Sequence, residues 1–274
     1  MPELPEVETI RKGLEKKVRG KRVNKVIIRS EKAIKAPSSP DEFVKKIEGR
    51  KLSEIKRKGK YLILELDCKD SLIIHLKMTG RLIYSSEGEE LSYARVIFIF
   101  PDKTQLNFTD MRGFGGLWLV PDEEFSNIPL LKSMGPEPLE NDFTLARFRG
   151  LLKGKKGKIK SLLMEQTFIA GVGNIYSQEA LFLSGIHPER NASMLIDREV
   201  ESLYNNLLAV LREALSYGGS SIDAYVDLNG KKGSYESHLR VYGRQKKNCP
   251  RCGAVIRKIK VSGRGTCFCP VCQK

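Results

Sequence analysis

Long apolar stretches are missing from this chain of 274 residues. No run approaches the roughly 18–20 residues of a membrane span. A secretory leader is not expected either: Glu3, Glu6 and Glu8 stand where such a leader would be basic and then apolar. Internal repeats are absent. Acidic residues are scarce: 33 Asp and Glu face 48 Lys and Arg, for a net charge of +15. The shortage is sharpest at residues 231–274, where Glu236 is the one acid among twelve Lys and Arg. A shorter run, 153–160, holds five lysines and no acid. Such asymmetry favours a polyanionic partner, because basic groups near phosphates release condensed counterions. No basic amphipathic helix stands out to suit a membrane surface. A bacterial-type cytoplasmic protein used at the nucleoid is expected.

What is present begins with cysteine. Four of the six form Cys249-x2-Cys252 and Cys269-x2-Cys272. Each pair turns two thiolates toward one point, and two pairs build a tetrahedral S4 cage suited to one structural Zn2+. The sequence between them reads as two short strands around a glycine-rich turn at 262–265, a zinc-ribbon hairpin. A disulfide framework is the weaker alternative in a cytoplasmic setting. Cys267 lies too close to Cys269 to match the pair spacing and reads, with Cys68, as a plain thiol.

Val7, Ile10, Leu14 and Val18 recur at helical spacing behind the N-terminus. Alternating segments follow at 22–29, 51–58, 60–66, 71–78, 94–100, 104–108 and 116–120, the pattern of half-buried antiparallel strands. A β-sandwich or flattened barrel with a leading helix is predicted. "MGPEPLEND" (134–142) is a break. After it, helices are predicted at 143–152, about 159–166, 174–184 and 197–216. "TFIAGVGN" (167–174) supplies two tight turns with Asn174 as N-cap, a ready phosphate clamp. Residues 217–235 read as a long, flexible Gly/Ser-rich loop. The fold class is therefore α+β, in four parts: a β-sandwich domain at 1–133, a linker at 134–142, a helical domain at 143–240 containing the loop at about 217–235, and a zinc finger at 241–274.

Pro2 follows Met1 directly. Were Met1 removed, Pro2 would offer a secondary amine with a reference pKa of roughly 8, against roughly 10.4 for lysine, so far more of it is nucleophilic at neutral pH. The plainer alternative is that proline and glutamate suit a first helical turn.

"PELPEVE" (2–8), "HLKMTG" (75–80), "MGPEPL" (134–139), "GVGNIY" (171–176), "GIHPER" (185–190), "VYGR" (241–244) and "CPVCQK" (269–274) together resemble the formamidopyrimidine-DNA glycosylases, which carry a helix–two-turns–helix element and a zinc finger. The resemblance runs from residue 2 to 274. It implies a bifunctional glycosylase and AP lyase that removes oxidised purines such as 8-oxoguanine and formamidopyrimidines, then cuts by β,δ-elimination. It implies damaged double-stranded DNA as partner, and a monomer is expected. Pro2 would be the nucleophile, Glu3 the acid/base with Glu6 in support, and Lys60 an aid to β-elimination. Arg264 would grip phosphates and assist the second elimination. His75, Lys156, Lys160, Asn174 and Tyr242 would contact DNA. Met78, Arg112 and Phe114 would fill the gap left by an extruded nucleotide. Read without the resemblance, Met78 and Phe114 are core residues and His75 a satisfied core histidine. Two rival functions remain: an oxidised-pyrimidine glycosylase of the endonuclease VIII type, and a zinc-ribbon DNA-binding protein without chemistry. The chain departs from the family at "DMRGFG" (110–115), where Gly113 replaces a basic residue, at Tyr93-Ala94-Arg95, where a histidine is usual, and at Glu165, where aspartate is common.

Overall fold

The computed structural model describes residues 1–128, 131–222 and 224–274. Pro129 and Leu130, within the first predicted domain, and Asp223, within the predicted loop, lie outside the described residues. The chain divides into two compact units, Met1–Lys132 with Tyr217–Ser234, and Ser133–Ser216 with Tyr235–Lys274.

The first unit is a sandwich. Helix α1 (Leu4–Lys17) leads into β1 (Lys25–Ile28), β2 (Ile34–Ala36), α2 (Pro40–Ile47), β3 (Leu52–Lys58), β4 (Tyr61–Leu66), β5 (Asp70–His75), β6 (Gly80–Ser86), β7 (Ala94–Ile99), β8 (Thr104–Asp110) and β9 (Gly116–Pro121). One sheet has the order β1-β7-β8-β6, the other β2-β9-β5-β4-β3. Alternation decides what fills the space between them. Leu62, Leu64, Leu72, Ile74, Leu117 and Leu119 come from the second sheet, and Val26, Leu82, Val96, Phe98, Leu106 and Phe108 from the first. The apolar stripe of α1, Val7-Ile10-Leu14, joins the same core.

Three elements escaped the sequence pattern: β2, α2 and β6. For α2 a signal existed, since Ser39 N-caps it through the Glu42 N–H and Pro40 opens it. The segment 217–234 also differs from expectation. It belongs with the first unit, not with the helical part. Tyr225 and Leu228 enter the sandwich core, and the Tyr84 N–H donates to the Leu228 carbonyl at 2.8 Å. Two apolar side chains anchor what its Gly and Ser content suggested would be free.

The second unit holds α3 (Leu145–Leu152), α4 (Ile159–Met164), α5 (Asn174–Leu183) and α6 (Asp197–Ser216), then the hairpin β10 (Arg257–Val261) and β11 (Arg264–Phe268). The helices share one apolar cluster that includes Phe148, Leu163, Tyr176, Leu181, Leu203 and Leu211. Ser262 and Gly263, with φ of 46° and 76°, make the two-residue turn between β10 and β11, the left-handed pair that matches strand twist. Among the described residues no helix is long and apolar enough to cross a membrane.

Candidate active site and metal centre

In the first unit, Pro2 and the carboxylates behind it are buried; Glu3 is 2% exposed and Glu6 1%. Glu3 is the N-cap of α1 and Glu6 its third residue, and the two side chains form a capping box. Glu6 Oε2 accepts the Glu3 N–H at 2.8 Å. Its Oε1 accepts the Ser220 N–H, also at 2.8 Å, from 214 residues away. Glu6 therefore fixes both the start of the chain and the 217–234 segment. Gly219 is required beside it: φ is +84°, and a Cβ there would lie 2.7 Å from Glu6 Oε1. Burial, with the Glu6 charge adding to it, raises the Tyr225 hydroxyl above its usual value. That hydroxyl stays a donor, to the Gly218 carbonyl at 3.0 Å.

Lys60 is buried in the turn between β3 and β4. His75 ends β5, with its ring edge-on to Tyr61 at 4.4 Å between centroids. Burial, then the charges of Lys77 and Lys60, lower the His75 pKa to about 3. Its Nδ1 accepts the Lys77 N–H at 2.9 Å, which leaves the proton on Nε2. His75 is thus a neutral donor and offers a phosphate no positive charge.

Met78, Arg112 and Phe114 come together at the surface. Met78 is 41% exposed and Phe114 53%, so neither is a core residue. The Arg112 guanidinium lies 4.7 Å from the centre of the Phe114 ring and 3.2 Å from Met78 Sδ.

In the second unit Asn174 is the first residue of α5, and Gly173, with ψ of −148°, takes the N-cap place expected for Asn174. That frees the Asn174 side chain for other partners. Its Oδ1 accepts from Lys160 Nζ at 2.7 Å and its Nδ2 donates to the Gly265 carbonyl at 3.3 Å. Lys160 is 0% exposed; it orients Asn174 and is not a surface contact. Lys156 and Arg264 are exposed, and Tyr242 is half-buried.

Sequence reasoning missed Gln178. It is buried one turn after Asn174 on α5, where i,i+4 spacing puts both on one face. Its Nε2 donates to the Gly265 carbonyl at 3.2 Å and its Oε1 accepts the Cys267 N–H at 2.6 Å. Helix α5 is thereby joined to the hairpin that bears Arg264.

The thiol sulfurs of Cys249, Cys252, Cys269 and Cys272 all lie within 4.8 Å of one another. Two of the pairs are separated by 3.9 and 3.5 Å, close to the ~3.8 Å edge of a tetrahedron with Zn–S bonds of about 2.3 Å. The Arg251 and Cys272 N–H groups each donate to a cysteine sulfur at 3.4 Å, as suits thiolates. Loss of solvation, then hydrogen bonds from the other three cysteines, push Cys272 up to about 12. Four soft sulfur donors converging at this spacing are the set that a tetrahedral structural zinc takes, so the residues present fit one zinc ion. Cys267 faces Gln245 instead, at 3.6 Å.

Comparison with known proteins agrees with this geometry. The formamidopyrimidine-DNA glycosylase N-terminal domain matches residues 1–117, the H2TH domain of the same family 134–226, and the zinc finger found in FPG and IleRS 246–274. The formamidopyrimidine-DNA glycosylase of Pelotomaculum thermopropionicum is 42% identical over all of this chain and 99% of its own length. That of Listeria innocua is 41% identical, with both chains covered in full. Among solved structures, the Lactococcus lactis enzyme with abasic-site DNA superposes with a TM-score of 0.92 at 38% identity, covering 99% of each chain. The same enzyme with Fapy-dG-containing DNA gives 0.91 at 38% identity, covering 99% of this chain and 100% of that one. The chain belongs to the formamidopyrimidine-DNA glycosylase family.

Proposed function

We propose that the chain is a bifunctional glycosylase and AP lyase for oxidised purines in duplex DNA, acting through the N-terminal nitrogen of Pro2. The observation that carries this is the capping box directly behind Pro2, which buries two carboxylates beside the nucleophile and has Glu6 hold Glu3 by its backbone. Once Met1 is removed, the proline nitrogen attacks C1′ of the damaged nucleotide. The bond from C1′ to the base breaks, and the base leaves with a proton. Glu3 is the nearest acid in sequence to move protons, including one to the sugar ring oxygen as the ring opens. The product is an iminium ion, which acidifies the 2′ hydrogens. Loss of one of them expels the 3′ phosphate. A second elimination expels the 5′ phosphate, and water then releases the sugar fragment from Pro2. Lys60 assists the first elimination. Arg264, always charged, stabilises phosphate in the second. Lys156, Asn174 and Tyr242 bind the backbone, His75 donates a neutral hydrogen bond, and Met78, Arg112 and Phe114 occupy the emptied stack. Residues 1–133 form the catalytic part and 241–274 the finger. The protein acts as a monomer on nucleoid DNA in the cytoplasm.

Borohydride reduction on a duplex containing 8-oxoguanine tests the reading. The expected product is a covalent adduct that mass spectrometry maps to the Pro2 nitrogen. An adduct on a lysine, or none from a chain that begins at Pro2, refutes it. Faster excision of thymine glycol than of 8-oxoguanine would move the assignment to the oxidised-pyrimidine branch.

A further inference from the structure

Asp110 ends β8 and is buried, although the four residues that follow it are exposed. Its carboxylate accepts three hydrogen bonds from two separate loops. Oδ1 takes the Thr79 hydroxyl at 2.5 Å and the Arg112 N–H at 3.2 Å. Oδ2 takes the Gly115 N–H at 2.7 Å. The Thr79 hydroxyl oxygen also accepts the Arg112 N–H, at 3.1 Å. One carboxylate thus binds the residue after Met78, the backbone of Arg112 and the residue after Phe114.

Arg95 secures the same turn by its carbonyls, donating from Nε to the Asp110 carbonyl at 2.9 Å and from Nη2 to the Met111 carbonyl at 3.5 Å. The turn is tightly built. Gly113 has φ of +69°, and a Cβ on Gly115 would lie 2.7 Å from Phe108 Cζ and 3.1 Å from Asp110 Oδ2. An exposed apolar tip has few neighbours to hold its shape. Here a buried acceptor does so, and a side chain already held in place loses little entropy on entering a base stack.

We propose that Asp110 is a positioning residue that presets Met78, Arg112 and Phe114 as a rigid wedge, with Thr79 as its second anchor. This rests on the glycosylase reading above. A wedge matters only where a damaged nucleotide must be forced out of a paired stack. The test therefore compares single-turnover excision of 8-oxoguanine from fully paired duplex with cleavage of an abasic site in single-stranded DNA, which has no base to extrude. Asp110→Asn places an amide donor against a backbone donor, and Thr79→Val removes the hydroxyl while keeping the shape. Each is expected to slow the duplex reaction about tenfold and to leave the single-strand rate within about twofold. Equal slowing on both substrates, or no slowing on either, overturns the proposal. Thermal melting reports whether Asp110→Asn folds; if it does not, Thr79→Val decides. Wild-type protein that cuts neither substrate would instead refute the glycosylase reading, which keeps the two failures apart.

Discussion

The sandwich and the zinc finger hold reactive groups by opposite means. The sandwich has a wide apolar core drawn from both sheets, α1 and the 217–234 segment. It can therefore bury Glu3, Glu6, Lys60, His75 and Asp110 at its margins. The cluster under the finger has six buried members, Phe182, Val241, Cys249, Ile256, Cys267 and Cys269, of which three are cysteines. So few apolar side chains cannot order a hairpin alone; the finger depends on its metal. Burial area sets the shape of one region, and coordination bonds set the shape of the other.

Zinc removal breaks this comparison most sharply. Chelation, or Cys252→Ser, withdraws on the order of 10 kcal/mol of local folding free energy. Hydrogen exchange should then show lost protection across 246–274 and retained protection in β7 and β8. DNA affinity should fall with it. Unchanged exchange in the finger after complete zinc loss would mean that the Gln178 contacts suffice to hold it. Next in size is the reverse experiment. Phe98→Ala empties a fully enclosed site between the sheets and should cost roughly 3–5 kcal/mol. Denaturant unfolding reads that loss, while zinc content stays at one ion per chain.

Much of this division is legible in the sequence, and the illegible part has a common cause. Local patterns reveal α1, most strands, the long α6 and the four zinc ligands, because each depends on neighbours a few residues apart. Asp110 looks like any polar residue after a strand, since only the fold brings it to Thr79, 31 positions away. Glu6 reads as a support for Glu3 or as a helix-dipole residue; its second partner, Ser220, is 214 positions away. Lys160 sits in a basic run and looks like a DNA contact, yet tertiary packing turns it inward to Asn174. Gln178 was within reach, being one helical turn from a residue already singled out.

Acid should separate the two regions by chemistry. His75 is held at about 3, below its ordinary 6.5. A histidine whose folded pKa is depressed gives its full stabilisation above the unfolded value, and that stabilisation is lost as the pH falls from 6.5 toward 3. By pH 5 the loss is on the order of 2 kcal/mol. It is specific to the sandwich, whereas the finger loses zinc as its thiolates protonate. In His75→Asn the protection of β4 and β5 amides, taken relative to their intrinsic exchange rates, should become nearly independent of pH between 6.5 and 5. A slope as steep as that of the wild type would place the acid sensitivity on another group.

The smallest effect gives the closest match between the regions, because a hydroxyl cap opens one helix in each. Ser39 caps α2 through the Glu42 N–H at 3.3 Å, and Thr144 caps α3 through the Arg147 N–H at 3.2 Å. Both bonds are exposed, so water replaces much of what alanine removes, and each substitution should cost about 1 kcal/mol. The two should differ in where the loss is felt. Helix α2 packs Phe43 and Ile47 into the sandwich core, so Ser39→Ala should lower protection in the β1 and β2 amides against which α2 lies. Helix α3 packs Phe148 and Leu152 into the helical cluster with α6, so Thr144→Ala should lower protection in α6. If either substitution loosens both units equally, the division into two cores is not how the chain stores its stability. If each loosens only its own, the cores are separate reservoirs, and the metal-held hairpin draws on only one of them.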